Sequence, residues 1–221
     1  MFDYPKQAEF NRIVPKSKIY NFAKPNRAVR DRFVSQVAEI VWAYKLSPET
    51  INLPSKQGIH EIQVFVIALK NGELSEEVLR TIDKAIPSPI FFDVTFAGRI
   101  KSTAAYKRSS DADPSKSIVE GYFETPWQPM TTARPSLPVA LDLAGLYEQM
   151  LRLHMPISAR TGETMKSHVE RATQIRSKEY ECQKLEVRLK REVQFNRKVE
   201  LNAALRRNKT EIAKLSASKE T

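Results

Sequence analysis

The spacing of apolar residues predicts alternating helices and strands up to about residue 154. Apolar side chains from Val29 to Tyr44 follow a helical period behind Asn26, a suitable N-cap, so a helix is expected over 27–44. The same reading predicts strands over 49–54 and 59–69, a helix over 75–86, a β-hairpin over 89–108, a loop over 109–117, a strand over 118–125 and a helix over 139–154. This order predicts an α+β (or α/β) fold with a single mixed sheet and packed helices.

The remainder of the chain has a different pattern. No proline follows Pro156 and no glycine follows Gly162, so nothing interrupts a helix to the last residue. Its heptad stripe shifts near 190–200, which favours two coiled-coil segments over one continuous rod. We therefore expect a globular α+β domain over 1–157 and a long coiled-coil helix for assembly over 158–221.

An apolar stripe on an isolated helix is unstable in water, so the C-terminal segment is expected to bind a protein partner or a second copy of the chain. The residues expected to carry this contact lie on or beside the stripe. They are Leu185, Leu189, Phe195, Asn196, Leu201, Leu205, Ile212 and Leu215.

Charge and composition narrow the class of protein. The chain carries a net charge of +10, which favours nucleic acid or an acidic partner. Its single cysteine, Cys182, excludes an internal disulfide framework, and no apolar run reaches the length of a membrane span. The first residues lack the pattern of a secretion signal, so a cytoplasmic location is expected.

Basic residues concentrate in two stretches with aromatic residues between them. The mixture of cations with Tyr20, Phe22 and Tyr106 suits contact with phosphates combined with base stacking. The residues expected to contact nucleic acid, with DNA as the expected ligand, are Lys16, Lys18, Lys24, Arg27, Arg30, Arg32, Lys101, Lys107 and Arg108.

Carboxylates offer an enzymatic alternative. A Mg²⁺-dependent nuclease needs acids that converge on one metal ion, with a lysine or glutamine near the attacking water. The sequence loosely matches the PD-(D/E)xK nuclease pattern but has no PD dipeptide before Glu61. The residues of this alternative are Glu39, Glu61, Gln63, Asp93 and Lys101.

Other catalytic signatures are absent from the sequence. It contains no phosphate-binding glycine loop and no nucleophile elbow, and its three histidines do not have the spacing of metal ligands. Neither a resident metal nor another cofactor is expected outside the nuclease alternative, and the leading expectation is a non-catalytic protein.

Seven segments of the chain form a joint pattern. They are FNRIVPKSKIYNF (10–22), IVWAYKLSPETINLP (40–54), EIQVFVIAL (61–69), AIPSPIFFDV (85–94), STAAYKR (102–108), LPVALDLAGLYEQMLR (137–152) and VQFNRKVELNAALRR (193–207). This pattern resembles an uncharacterised bacterial and archaeal family that is classed as a domain of unknown function. Members of that family are often encoded beside Swi/Snf-type helicases and adenine-specific DNA methyltransferases, in clusters that resemble restriction-modification or antiviral defence systems.

The resemblance implies an accessory subunit of a DNA-processing assembly, which binds a helicase or methyltransferase partner. It supplies no catalytic residues. Two alternatives remain open at this point: the divergent Mg²⁺ nuclease and a homodimeric nucleic-acid-binding protein.

Overall fold

The computed structural model describes residues 1–109 and 117–217. The chain forms two compact units, Met1–His154 and Met155–Thr221. The fold is α+β, with one mixed sheet and a long C-terminal helical region, as the sequence predicts. The predicted loop 109–117 lies mostly outside the described residues, as do the last four residues of the predicted C-terminal helix.

The first unit is built on one twisted sheet. Its strands in the described part of the chain are β1 Glu9–Ile13, β2 Val37–Leu46, β3 Ile62–Leu69, β4 Ile90–Phe96, β5 Arg99–Ser109, β6 Ser117–Glu124 and β7 Gln128–Pro129. They lie in the order β1-β2-β3-β4-β5-β6, and β7 pairs with β5. Only the β3–β4 pair is parallel among these ladders, because the chain crosses from one strand to the other through a helix.

Five helices belong to the first unit in the described ranges. They are α1 Lys16–Ala23, α2 Arg27–Gln36, α3 Pro48–Ile51, α4 Glu76–Ala85 and α5 Leu143–Arg152, preceded by a 3-10 turn at Lys6–Ala8. One face of the sheet packs against α1, α2 and α4 in a core that includes Phe33, Phe65 and Phe92. On the opposite face, Phe91 meets Tyr147 of α5 edge to face at 6.2 Å.

The predicted helix over 27–44 is wrong in its second half. Helix α2 ends at Gln36, and Val37–Leu46 forms β2 between β1 and β3. Irregular pairing interrupts the β2–β3 register twice, between Val37 and Glu39 and between Trp42 and Tyr44. Each irregularity resets the side-chain alternation, so β2 buries every third residue and imitates the period of a helix.

The predicted strand over 49–54 is also wrong, because a short helix begins there. Pro48 occupies the first helical position, where its missing N–H costs nothing. Ser47 and Thr50 form a capping box, and Asn52 ends the helix in the left-handed conformation at φ 54°. The sequence pattern does not predict β1 or α1, which the structure shows over Glu9–Ile13 and Lys16–Ala23.

The second unit contains two helices rather than one rod. Helix α6 spans Met165–Arg191 and α7 spans Phe195–Ser216, so the break lies inside the predicted interval. The helices pack antiparallel: Lys178 pairs with Glu211, and the Asn208 amide donates to Glu181 at 3.3 Å. We call this pair the C-terminal hairpin.

None of the helices in the described ranges combines the length and the apolar character that a membrane crossing needs.

Candidate nucleic-acid interface

Two consecutive short helices, α1 and α2, expose basic side chains at the surface of the first unit. Helix α1 ends at Lys24, which adopts the left-handed conformation at φ 49°, and Pro25 prevents its continuation. The Asn26 side chain then accepts a hydrogen bond from the Val29 N–H at 3.0 Å and begins α2. Because Ile19, Val29 and Phe33 face the core, the remaining faces of both helices are left for cations.

Four predicted cations form this surface, and all four are exposed. The Arg30 guanidinium lies 5.4 Å from the Tyr20 ring, and its Nε donates to the Pro25 carbonyl. The one ion pair that the described residues show here joins Arg27 to Asp31 at 4.0 Å, and both side chains are largely exposed. We call Lys18, Lys24, Arg27 and Arg30 the α1–α2 cluster.

Lys16 and Arg32 belong to the same helices but serve the fold. The Lys16 ammonium donates to the carbonyls of Phe33 and Val37, where it closes the end of α2. Partial burial, with a smaller contribution from Lys70, lowers the pKa of Lys16. Arg32 pairs with Glu77 and donates to Ser75 at the start of α4.

The predicted cations of β5 do not join the cluster. Lys101 pairs with Glu124 at 2.6 Å, and Arg108 pairs with Glu120 at 2.8 Å. Lys107 is buried and therefore is not available to a phosphate backbone. The sequence predicts these residues to contact nucleic acid because it does not reveal which acidic residue lies on the neighbouring strand.

Lys107 holds together the end of α4. Its ammonium pairs with the Asp83 carboxylate at 2.9 Å and donates to the carbonyls of Asp83, Ile86 and Ser88. Burial raises the pKa of Asp83 and lowers the pKa of Lys107, and each charge partly offsets the shift of the other. The Tyr122 hydroxyl donates to the same carboxylate, so this ion pair is fully hydrogen-bonded.

The carboxylates of the nuclease alternative are not brought together. Glu39 lies exposed on β2 rather than in a helix, and Asp93 is buried on β4. Glu61 precedes β3 and binds Lys45 at 3.1 Å and Gln63 at 2.5 Å. Since Phe65 and Phe92 share the α4 side, the alternation of strands places Gln63 on that side and Asp93 on the other.

The pKa directions of these acids follow from their surroundings. Burial raises the pKa of Asp93. Burial opposes ionisation of Glu61, but hydrogen bonds from Gln63, Lys45 and Ser88 outweigh it and lower the pKa. In the described ranges, no group of three or more His, Cys, Asp or Glu side chains is suited to hold a metal ion.

The structure shows an aromatic groove beside the α1–α2 cluster that the sequence pattern does not predict. Phe10 of β1 contacts Trp42 of β2, with ring centroids 4.1 Å apart. Arg12 lies 4.4 Å above the Phe10 ring, and Lys18 lines the same groove. The alternation of Phe10 and Arg12 in the sequence indicates that both side chains share one face of a strand. This inference requires a strand at β1, which the sequence pattern does not predict.

Comparison with known proteins gives a match to a family model. The family model described as a domain of unknown function, DUF4391, matches residues 2–212. The chain belongs to this family. No curated protein and no solved structure matches the chain.

The DUF4391 match includes α6 and all but the last four residues of α7, and it covers every predicted partner-binding residue except Leu215. The leucines and isoleucine of that set are half-buried, so the two helices already cover part of each other's stripes. Phe195 remains 78% exposed, and Asn196 beside it is exposed. Among the described residues of the hairpin, Val193 and Phe195 at the connector are the most exposed large apolar side chains.

Proposed function

We propose that this DUF4391 protein is an accessory, non-catalytic subunit that binds nucleic acid through the α1–α2 cluster. One observation supports this proposal above the others. Four exposed cations lie on two consecutive helices, and the ion pair found among them in the described residues, Arg27 with Asp31, is long and open to solvent.

Simple electrostatics explains why this arrangement favours a polyanion. A solvent-exposed ion pair contributes about 1 kcal/mol at most, so Asp31 does not cancel the charge of Arg27. Cations that lie close together repel each other, and contact with a phosphate backbone relieves that repulsion while it releases condensed counterions. The other predicted cations already have carboxylate or carbonyl partners and contribute less to such an interface.

The test is the salt dependence of DNA binding. Arg27→Gln combined with Arg30→Gln removes two charges from the cluster, and the slope of log K against log salt should become shallower by about 2. Fluorescence anisotropy with a labelled duplex, measured over a range of salt concentrations, gives this slope.

The matched control removes two exposed lysines elsewhere in the first unit. Lys6→Gln combined with Lys84→Gln changes the net charge by the same amount. This control should keep most of the slope. If both double variants change the slope equally, the charge acts through the whole molecule and the α1–α2 cluster is not the contact.

We further propose that the protein works in the cytoplasm within a DNA-processing assembly of the restriction or antiviral defence type. The support is the sequence resemblance to a family encoded beside helicases and adenine-specific methyltransferases. The C-terminal hairpin would supply the contact with such a partner, because Val193 and Phe195 expose apolar surface at 88% and 78%. Co-purification of the helicase or methyltransferase with the full chain tests this role.

A further inference from the structure

The aromatic groove has the composition of a site for a flat, polarisable ligand. It encloses about 340 Å³ between β1, β2 and the end of α4. Trp42 stacks on Phe65 with an angle of 9° between the rings and also contacts Phe10. Its lining contains Arg12 and Lys18 but no carboxylate among the described residues. A volume near 300 Å³ is at the lower end for small-ligand sites and accommodates a single flat ring system.

The two cations connect the groove to the α1–α2 cluster. Lys18 belongs to both, so a backbone phosphate at Lys18 lies beside the mouth of the groove. Arg12 covers the Phe10 ring, and a guanidinium in this position stacks on aromatic faces and contacts phosphate equally well. Gln63, which is 5% exposed, adds an amide to the lining.

We propose that the groove takes one unpaired base of a single-stranded nucleic acid. This inference rests on the proposed function and specifies its ligand. Every base has a π-face, so an aromatic groove flanked by cations binds single strands with little dependence on sequence. A duplex keeps its bases stacked inside the helix and offers the groove nothing to bind.

The fluorescence of Trp42 provides a direct readout. The chain has two tryptophans, so Trp127→Phe leaves Trp42 as the single emitter. A 15-nucleotide oligothymidylate should quench this emission on binding, whereas an abasic strand of the same length should bind without quenching. Equal quenching by both strands would place the base outside the groove and overturn the proposal.

Two phenylalanine variants locate the stacking. Phe10→Ala should weaken binding of the oligothymidylate about tenfold and leave duplex binding unchanged. Phe22→Ala tests the competing stacking site on the helix surface, because Phe22 lies 75% exposed on α1 and does not line the groove, and this variant should keep the affinity for oligothymidylate. The reverse result, a loss with Phe22→Ala and none with Phe10→Ala, would show that bases stack on the helix surface and would refute the groove.

The outcomes separate this inference from the proposed function. If the groove is wrong but the cluster is right, Phe10→Ala has no effect while Arg27→Gln with Arg30→Gln still weakens both single-stranded and duplex binding. If neither oligonucleotide binds at low salt, both proposals fail. Circular dichroism of each variant checks that a loss of binding is not a loss of folding.

Discussion

At the scale of single residues, His154 shows how burial fixes a protonation state. Its side chain is 4% exposed, and its Nδ1 donates to the Met150 carbonyl at 2.9 Å. The ring packs against Phe91, with centroids 5.3 Å apart, and Nε2 has no partner in the described structure. Burial lowers the pKa of His154 from 6.5 to about 4, so the folded protein holds the neutral imidazole.

This shift makes the stability of the first unit depend on pH. Between pH 6.5 and 4 the unfolded chain binds a proton at His154 that the folded chain does not, so acid favours unfolding. The contribution is fully present above pH 6.5 and is lost as the pH falls. We expect His154 to lower the free energy of unfolding by about 2 kcal/mol between pH 7.5 and 5.

Urea denaturation at the two pH values measures this loss, and His154→Gln should remove most of it. His60→Gln serves as the control, because His60 is exposed, and should leave the pH dependence unchanged. A pH dependence that persists in His154→Gln would assign it to other groups.

Part of the candidate site can be predicted from the residue types alone. The sequence predicts nucleic-acid contact by six cations between Lys16 and Arg32, and four of them lie in the exposed α1–α2 cluster. The sequence did not reveal that Lys16 closes a helix or that Lys107 lies inside the domain, because both roles depend on partners at least 17 positions away. The nuclease residues failed to converge for the same reason, since strand order determines which acids meet.

At the scale of elements, β2 shows that the spacing of apolar residues alone does not always distinguish a strand from a helix. Its buried residues Val37, Ile40, Ala43 and Leu46 recur every three positions because the register slips twice. Local pattern therefore favoured a helix, and the ladder with β3 overrode it. By contrast, β3, α4, β4 and β5 were predicted close to their observed bounds, since clear turn and capping residues separate them.

The C-terminal hairpin supports a prediction at the scale of elements. Leu201 and Leu205 are half-buried on α7, and ion pairs such as Lys209 with Glu186 at 2.9 Å hold that helix against α6. Replacing both leucines by alanine should destabilise the hairpin by about 2 kcal/mol. The measurement is the denaturation midpoint of the helical signal at 222 nm.

Asn202→Ala is the control for this pair, because Asn202 is exposed on the same helix and its amide donates to the Lys198 carbonyl within that helix. It should shift the midpoint little. If the two leucines also prove neutral, they do not pack within the hairpin and remain free for another molecule.

At the scale of the whole molecule, the two units divide the proposed functions between them. The first unit contains the sheet, its core and the α1–α2 cluster, while the second contributes the hairpin. We expect a fragment of residues 1–154 to fold by itself and to bind oligonucleotides with the affinity of the full chain, but to lose the helicase or methyltransferase partner.

Anisotropy titrations and a pull-down with the partner compare the fragment with the full chain. Phe195→Ala in the full chain is the matched variant, because it removes one exposed ring without removing the hairpin. If the fragment retains the partner, the contact lies in the first unit. If it loses oligonucleotide binding while still folded, residues beyond 154 belong to the interface.

The self-pairing of the hairpin limits how an outside molecule can use it. Arg171 of α6 donates to the Leu215 carbonyl at 3.0 Å and also pairs with Glu163, whose pKa its hydrogen bonds lower to about 2. Helix α7 therefore covers part of the apolar stripe of α6 and competes with any other molecule that would bind there. A ligand that binds the leucines between α6 and α7 must first displace α7. Its binding free energy is therefore weakened by the free energy that stabilises the hairpin. A ligand that binds the connector at Phe195 does not have to displace α7, so its affinity is not reduced in this way.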